Sequence, residues 1–434
     1  MPPTFHALGV PPDLVAVLAG RGITEPFAIQ AATLPDALAG HDVCGKAPTG
    51  SGKTLAFALA LALRTPKAAP RRPRALVLAP TRELAAQIQR ELAPLAAARG
   101  RTVTAVYGGT GYSAQTRAFH RGVDVLVACP GRLEDLVQRG DVRLGDVGLV
   151  VVDEADRMAD MGFLPAVRRI LDATSAERQT LLFSATLDGE VDTLVRRYQR
   201  QPRRHDAEPV EAAAGDVRHH FWDADSSSRL GLTAGLVSHH GSTIVFCRTK
   251  RGADRLVRQL AASGIGAVAI HGNRSQAQRD RALAAFTSGS AEALVATDVV
   301  ARGIHVTGVA CVVHYDLPGD VKDYVHRSGR TGRAGATGTV VSFVPPDRAL
   351  RRSVRALQRE LGLPEGVDTP DGVPAPPATR PRPAATPTKV AAPTKSASRP
   401  AARRATAATA TMPPAGRRRA GGRRRRGGPR VSAR

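Results

Sequence analysis

The chain has 434 residues, 42% hydrophobic and only 4% aromatic, with a formal net charge of +24. That length allows two or three domains, and that charge calls for a polyanionic partner, nucleic acid first and an anionic membrane surface second. Cys44, Cys129, Cys247 and Cys311 stand far apart in no metal-ligand spacing, so a disulfide scaffold and a structural zinc site are excluded, and each cysteine reads as a small buried hydrophobe. No signal peptide is recognised in the sequence, and no apolar run approaches the ~18 residues that span a bilayer, so a soluble cytoplasmic protein is expected, with no membrane partner.

Taken in chain order, the first apolar stretch is HDVCGKA at 41–47, which runs into APTGSGKT at 47–54 and then TLAFALALAL. This is the strand–loop–helix context of a phosphate-cradling loop, with Ala47 in place of its first glycine. Gly50 and Gly52 let backbone N–H groups close around phosphate, and the following helix N-terminus favours negative charge. Lys53 is expected to reach the outer phosphates and Thr54 to ligate Mg2+.

ALVLAPT (75–81) is the next strand, followed by a helical period in TRELAAQIQRELAPLAA (81–97) and a further strand in VDVLVACP (123–130). LVVVDEAD (149–156) is an apolar run ending in carboxylates. A run of that kind reads as a strand buried on both faces, whose carboxyl end faces a ligand crevice. By themselves the acids fit two readings equally: a cation or water site, or acids at a helix start. The phosphate loop favours the first, because it needs a second magnesium-holding acid on the same sheet. Asp153 suits that role, and Glu154 is placed to orient and deprotonate water. TLLFSAT (180–186) closes the first group of strands.

A polar stretch at 196–216 carries two prolines and no sustained apolar period. It is read as the break between domains. Strands resume at STIVFC (242–247), GAVAIHG (266–272), EALVATD (292–298), ACVVHYD (310–316) and GTVVSFV (338–344), with a helix in ADRLVRQLAAS (253–263). Strands alternating with helices give a doubly wound α/β architecture, and their number divides it into two domains with parallel sheets. HRSGRTGRAG (326–335) spaces Arg327, Arg330 and Arg333 by three, so the guanidinium groups are expected along one helical face. An arginine supplied across a cleft to a γ-phosphate accelerates transfer by about 10³–10⁵.

These motifs, with PTREL (80–84), CPGR (129–132), SAT (184–186), HGNRSQAQRD (271–280) and ATDVVARGIHV (296–306), resemble the DEAD-box RNA helicases over residues 5–345. GITEPFAIQ (22–30) resembles the family's adenine-sensing Q motif. The resemblance implies two tandem RecA-like domains, here 1–205 and 217–363 joined by a linker at 206–216, with ATP and Mg2+ as cofactors and RNA as partner. It implies an ATP site formed by Phe5, Gln30, Ala47, Pro48, Thr49, Gly50, Ser51, Gly52, Lys53, Thr54, Asp298 and Arg302, with Phe5 stacking on adenine and Gln30 reading its edge. Mg2+ falls to Thr54 and Asp153. Lys53, Asp153, Glu154, Ser184, Thr186, His326, Arg330 and Arg333 form the catalytic set, in which Ser184 and Thr186 couple hydrolysis to strand separation. RNA falls to Pro80, Thr81, Arg82, Gly108, Gly109, Gly131 and Arg132, then to Gly272, Gln276, Arg279 and Thr297. Such small and basic residues suit contacts to phosphate and sugar, which position a strand without reading its sequence.

Four positions depart from the family pattern: Ile23 for an aromatic residue, Phe27 for a small hydroxyl residue, Cys129 for Thr and His305 for Asp. Loss of the carboxylate at 305 is expected to weaken nucleotide affinity without ending the chemistry.

Residues 364–434 are rich in Pro, Ala, Thr and Arg, and from residue 371 onward sixteen Lys/Arg face a single acid. This composition cannot bury enough apolar surface to fold, so a disordered basic tail that tethers RNA non-specifically is expected. The composition also points to a GC-rich bacterial source. Three functions remain open at this stage: an ATP-dependent RNA helicase or RNP remodeller, a DNA helicase with the same core, and an ATP-gated RNA clamp. The motif set favours the first, with a monomeric core and ribosome-assembly or RNA-decay complexes as partners.

Overall fold

The computed structural model describes residues 3–47, 51–206, 217–298, 306, 308–332 and 336–370. Nearly all of the expected linker and tail lie outside them. Among the described residues, strands form two sheets. The first contains β1 (Val43–Lys46), β2 (Ala75–Leu78), β3 (Val103–Val106), β4 (Val125–Ala128), β5 (Leu149–Asp153), β6 (Gln179–Ser184) and β7 (Arg203–Asp206), in the order β3-β4-β2-β5-β6-β1-β7. The second contains β8 (Val217–Asp223), β9 (Thr243–Phe246), β10 (Ala267–Ile270), β11 (Ala293–Ala296), β12 (Cys311–His314) and β13 (Gly338–Val344), in the order β10-β11-β9-β12-β13-β8. Every named pairing is parallel.

Parallel strands need helical crossovers, and these cover both faces of each sheet. Val151 of β5 therefore joins one core with Leu181 and Phe183 of β6, while Val150 and Val152 join the opposite core with Leu182. Ile244 and Val245 divide in the same way in the second sheet. Each fully buried Val or Leu contributes roughly 1.5–3 kcal/mol of transfer free energy. Cys44, Cys247 and Cys311 are buried as expected, whereas Cys129 is only partly so.

Two expectations change. The stretch at 196–216 is not a featureless break: it holds the end of the helix Gly189–Tyr198 and the strand β7. The motif at 326–335 is not one helical face either, because the helix Val321–Ser328 ends before Arg330, with Gly329 as its C-cap. No helix of the described residues is long and apolar enough to cross a membrane.

The helix Arg348–Glu360 packs against β13. Asp347 caps it, its carboxylate accepting the N–H groups of Ala349 and Leu350 at 2.8 and 2.9 Å. Gln358 is fully buried and grips Gly366 in both directions, donating to its carbonyl at 2.7 Å and accepting its N–H at 3.2 Å. Arginines recur four residues apart on this helix at 348 and 352, at 351 and 355, and at 355 and 359. Each such like-charge pair costs roughly 0.2–0.5 kcal/mol.

Candidate active site

Three neighbouring strands build the site. β1 and β5 both pair with β6, setting Lys46 beside Ser184 and Asp153 beside Phe183. The phosphate loop, the acids and the SAT segment thus emerge at adjacent carboxyl ends, where an open parallel sheet presents its ligand crevice.

Gly52 caps the helix Lys53–Arg64 with φ +86°. That left-handed conformation suits glycine, and a Cβ there would collide with the Gln30 amide and the Phe27 ring. Lys53 is buried, and its Nζ donates to the Ala47 carbonyl at 2.7 Å. Gln30 ties the preceding turn to the loop: Oε1 accepts the Phe27 N–H at 2.9 Å, and Nε2 donates to the Gly52 carbonyl at 3.0 Å.

A cavity of about 540 Å³ opens here, lined by Ile23, Phe27, Gln30, Gly52, Lys53, Thr54, Asp153 and Glu154 among others, all from the first sheet's lobe. Phe27 is 59% exposed, although it is a large apolar side chain. It also occupies the N-cap of the helix Ala28–Ala39, where it has no side-chain acceptor to offer. Phe5, expected at the base, instead lies buried in the first lobe's core with Leu14 and Leu18 and does not line the cavity. The exposed aromatic wall at this turn is Phe27.

The acids take distinct places. Asp153 is buried, and desolvation pushes its carboxyl up to about 7; the Lys53 ammonium opposes the shift and the neighbouring Glu154 adds to it. Glu154 adopts the left-handed conformation, φ 53° and ψ 54°. That backbone costs a non-glycine residue roughly 1–3 kcal/mol and clusters at functional sites. Its Oε2 receives a hydrogen bond from Arg157 Nη1 at 2.5 Å, with both side chains buried. Asp156 joins the acids to the SAT segment: its N–H donates to Ser184 Oγ, and its Oδ2 accepts the Ala185 N–H, each at 3.2 Å. Thr186 and Asp156 line a second cavity, of about 440 Å³, together with Lys322 from the other lobe.

In the second lobe Arg327 forks onto Asp298, with Nε and Nη2 at 2.6 and 2.8 Å from the two carboxylate oxygens. Its Nη1 donates to the Asp316 carbonyl at 2.7 Å. This arginine fastens its helix to the end of β11. Arg330 is buried, and its Nε donates to the His326 carbonyl at 3.1 Å. Pro48, Thr49, Gly50, Arg302 and Arg333, and the departure at His305, lie outside the described residues.

Of the candidate nucleic-acid contacts, Pro80 and Thr81 are buried, and Thr81 caps the helix Arg82–Ala98. The Arg82 guanidinium lies against Gly108 and Gly109, and a Cβ on Gly109, at φ +81°, would collide with it. Arg132 stacks on Tyr112 at 4.2 Å and donates to the Thr110 carbonyl at 3.0 Å. These contacts gather Arg82, Gly108, Gly109 and Arg132 around one loop, with Gly131 exposed. On the second sheet Gly272 is exposed beside Lys250, and the buried Thr297 donates its N–H to Ile270. Gln276 and Arg279 differ from expectation, because both side chains are buried against the first lobe. Arg279 Nη2 lies 2.7 Å from Glu83 Oε1, and Gln276 Nε2 lies 3.5 Å from the same oxygen. Burial raises the Glu83 pKa even against the Arg279 charge, and it lowers the Arg279 pKa.

Residues 27–194 match the DEAD/DEAH box helicase family, and residues 228–335 match the helicase conserved C-terminal domain. The chain is 42% identical over 365 residues to DEAD-box ATP-dependent RNA helicase 30 of Arabidopsis thaliana, covering 82% of this chain and 62% of that one. It is 41% identical over 372 residues to the ATP-dependent RNA helicase DBP2 of Candida glabrata, covering 82% and 68%. The chain thus spans less than two thirds of the first relative's length. The solved structure of S. cerevisiae Dbp5 bound to RNA and ADP BeF3 superposes with a TM-score of 0.73 at 28% identity, over 84% of this chain and 95% of that one.

Proposed function

The chain belongs to the DEAD/DEAH box helicase family, and from that premise we propose that it is an ATP-dependent RNA helicase that separates short duplexes or remodels RNA–protein complexes. The observation that supports this most is the continuity from Gln30 through Gly52, Lys53 and the acids to Ser184, with Glu83 and Arg279 joining the two lobes. The first set surrounds the nucleotide cavity, and the second pair joins the lobes next to Arg82, one of the residues proposed for RNA.

In this reading Ile23, Phe27 and Gln30 hold the base, and Lys53 meets the outer phosphates. Glu154 orients the attacking water and takes its proton once it leaves Arg157. Asp156 passes the change to Ser184 and Thr186, and Arg330 with Arg333 meets the developing charge from the second lobe. Arg82, Gly108, Gly109, Gly131, Arg132, Gly272 and Thr297 hold the RNA backbone. Mg2+ suits the site: Asp153 is a desolvated carboxylate with Glu154 adding negative charge beside it, and Thr54 lines the same cavity. Among the described residues no three His, Cys, Asp or Glu side chains converge into a metal site, which suits an ion held mainly by substrate phosphates. When bound, the ion neutralises charge on the phosphate oxygens. The basic segment 371–434 acts as a non-specific RNA tether on a monomeric cytoplasmic core that serves ribosome-assembly or RNA-decay complexes.

Phosphate release measured with RNA, with single-stranded DNA and with neither tests the proposal. RNA should stimulate selectively. Equal stimulation by DNA points to a DNA helicase, and ATP-dependent RNA retention without turnover points to a clamp.

Two further results are expected. Phe27→Thr supplies the missing helix cap, which contributes about 1 kcal/mol, so the Tm should rise. The same change removes an aromatic wall that contributes roughly 0.5–1.5 kcal/mol, so the KM for ATP should rise about two- to tenfold with kcat unchanged. An unaltered KM would separate Phe27 from the base. The second result concerns pH. Burial raises the Asp153 pKa above the usual carboxylate range, and only the carboxylate attracts Mg2+. Nucleotide affinity at fixed Mg2+ should therefore weaken as pH falls from the alkaline side, starting above the usual carboxylate range, by up to about tenfold per unit. A fluorescent ATP analogue titrated from alkaline to acidic pH reads this directly. A flat profile would contradict it, and Asp153→Asn should abolish the slope.

A further inference from the structure

The outer face of the helix Arg348–Glu360 is not used by the site described above. Arg348, Arg352, Arg355 and Arg359 are exposed and follow one another at intervals of four, three and four residues. That spacing lays them along a single stripe about 17 Å long. Arg359 has Glu365 at 3.7 Å, and Arg351, on the flank, has Asp223 at 2.5 Å. The Arg348, Arg352 and Arg355 side chains have no hydrogen-bond or ion-pair partner among the described residues. The helix carries one acid, Glu360, at its last position. Its arginines repel one another, and those in its first turn oppose the helix dipole. The Asp347 cap, the buried Val354 and the Gln358–Gly366 clasp hold the stripe rigid against that repulsion.

The chemistry of the face selects its partner. Between the arginines it exposes only Ala349, Ser353 and Ala356, without the large apolar anchors a protein interface needs. Its apolar stripe is turned inward, with Val354 buried and Leu357 packed on the second lobe's core, so it cannot lie in a membrane surface. What remains is a row of guanidinium forks suited to phosphate. Asp368 is bridged to Trp222, which keeps the chain beside β8 only three residues before the arginine-rich segment begins.

We propose that this arginine stripe docks the phosphate backbone of RNA lying outside the segment gripped by the two lobes. The face reads no sequence and acts as a rigid outrigger. The proposal rests on the RNA reading given above.

The test uses the full chain carrying R348Q/R352Q/R355Q, since glutamine keeps helix propensity while removing the charge. Binding is measured against salt for an RNA of about 40 nucleotides and for one of about 8, which fills a single-strand site only. For the long RNA the variant should bind roughly tenfold more weakly at moderate salt, with a salt slope shallower by about 2. The short RNA should bind, and stimulate phosphate release, as with the wild type. Lysine at the same three positions should restore the slope. An unchanged slope and affinity for the long RNA would overturn the proposal, and so would equal losses for both lengths. If the wild type shows no RNA-stimulated phosphate release, the helicase reading fails, yet the long-RNA binding comparison still decides the role of the stripe.

Discussion

Glu154→Gln should lower RNA-stimulated phosphate release by about 10²–10⁴-fold, the range for losing a positioned general base, while nucleotide binding persists. Glutamine keeps the side chain's size and its hydrogen bond to water but cannot accept the proton. The carboxylate stands at a left-handed N-cap between β5 and a short helix, clasped by Arg157. That clasp engages one carboxylate oxygen of the proposed base in a buried ion pair. The variant should accumulate with ATP and RNA still bound. Turnover within tenfold of wild type, measured under saturating RNA, would remove Glu154 from the role of base.

A second large effect is expected at the contact between lobes. Glu83 and Arg279 have side chains only 4% and 5% exposed and meet at 2.7 Å. Glu83 Oε2 has no hydrogen-bond partner and is buried. The burial cost on both groups, visible in the raised acid and the lowered base, argues that the pair adds little net stability and instead specifies how the lobes meet. Breaking it from one side is another matter. Arg279→Leu would strand a buried carboxylate at a cost of about 3–5 kcal/mol, read as a fall of about two to four orders of magnitude in RNA-stimulated kcat/KM. Glu83→Leu should strand the guanidinium in the same way. The double variant should be milder than either single one, because two apolar side chains replace the pair without leaving a charge behind. Lower pH should partly rescue Arg279→Leu, since Glu83 then takes up a proton. Strictly additive losses would show that the two side chains act independently.

The core strands were legible because strands buried on both faces appear as unbroken apolar runs, as in LVVVD and TLLFS. β3, β7 and β8 gave no such signal, and each lies at the edge of its sheet. An edge strand has one partner and a partly wet surface, so RRHD and VRHHFWD read as loop. The site was readable wherever chemistry demands a residue type at a fixed spacing, as with Lys53, Asp153 and Glu154. It was opaque where function depends on a contact between distant segments. Arg157 carries only an i,i+3 relation to Glu154, and nothing in PTREL announces that Glu83 faces Arg279. Phe27 left a trace, since an aromatic residue where a helix wants a hydroxyl cap breaks a local rule, and such breaks gather at functional sites.

Coupling between nucleotide state and grip on RNA is reciprocal, so it can be read as a binding measurement. RNA affinity determined by titration with ADP–beryllium fluoride and again with ADP should differ by tenfold or more, tighter in the first. Equal affinities in the two states would contradict the account.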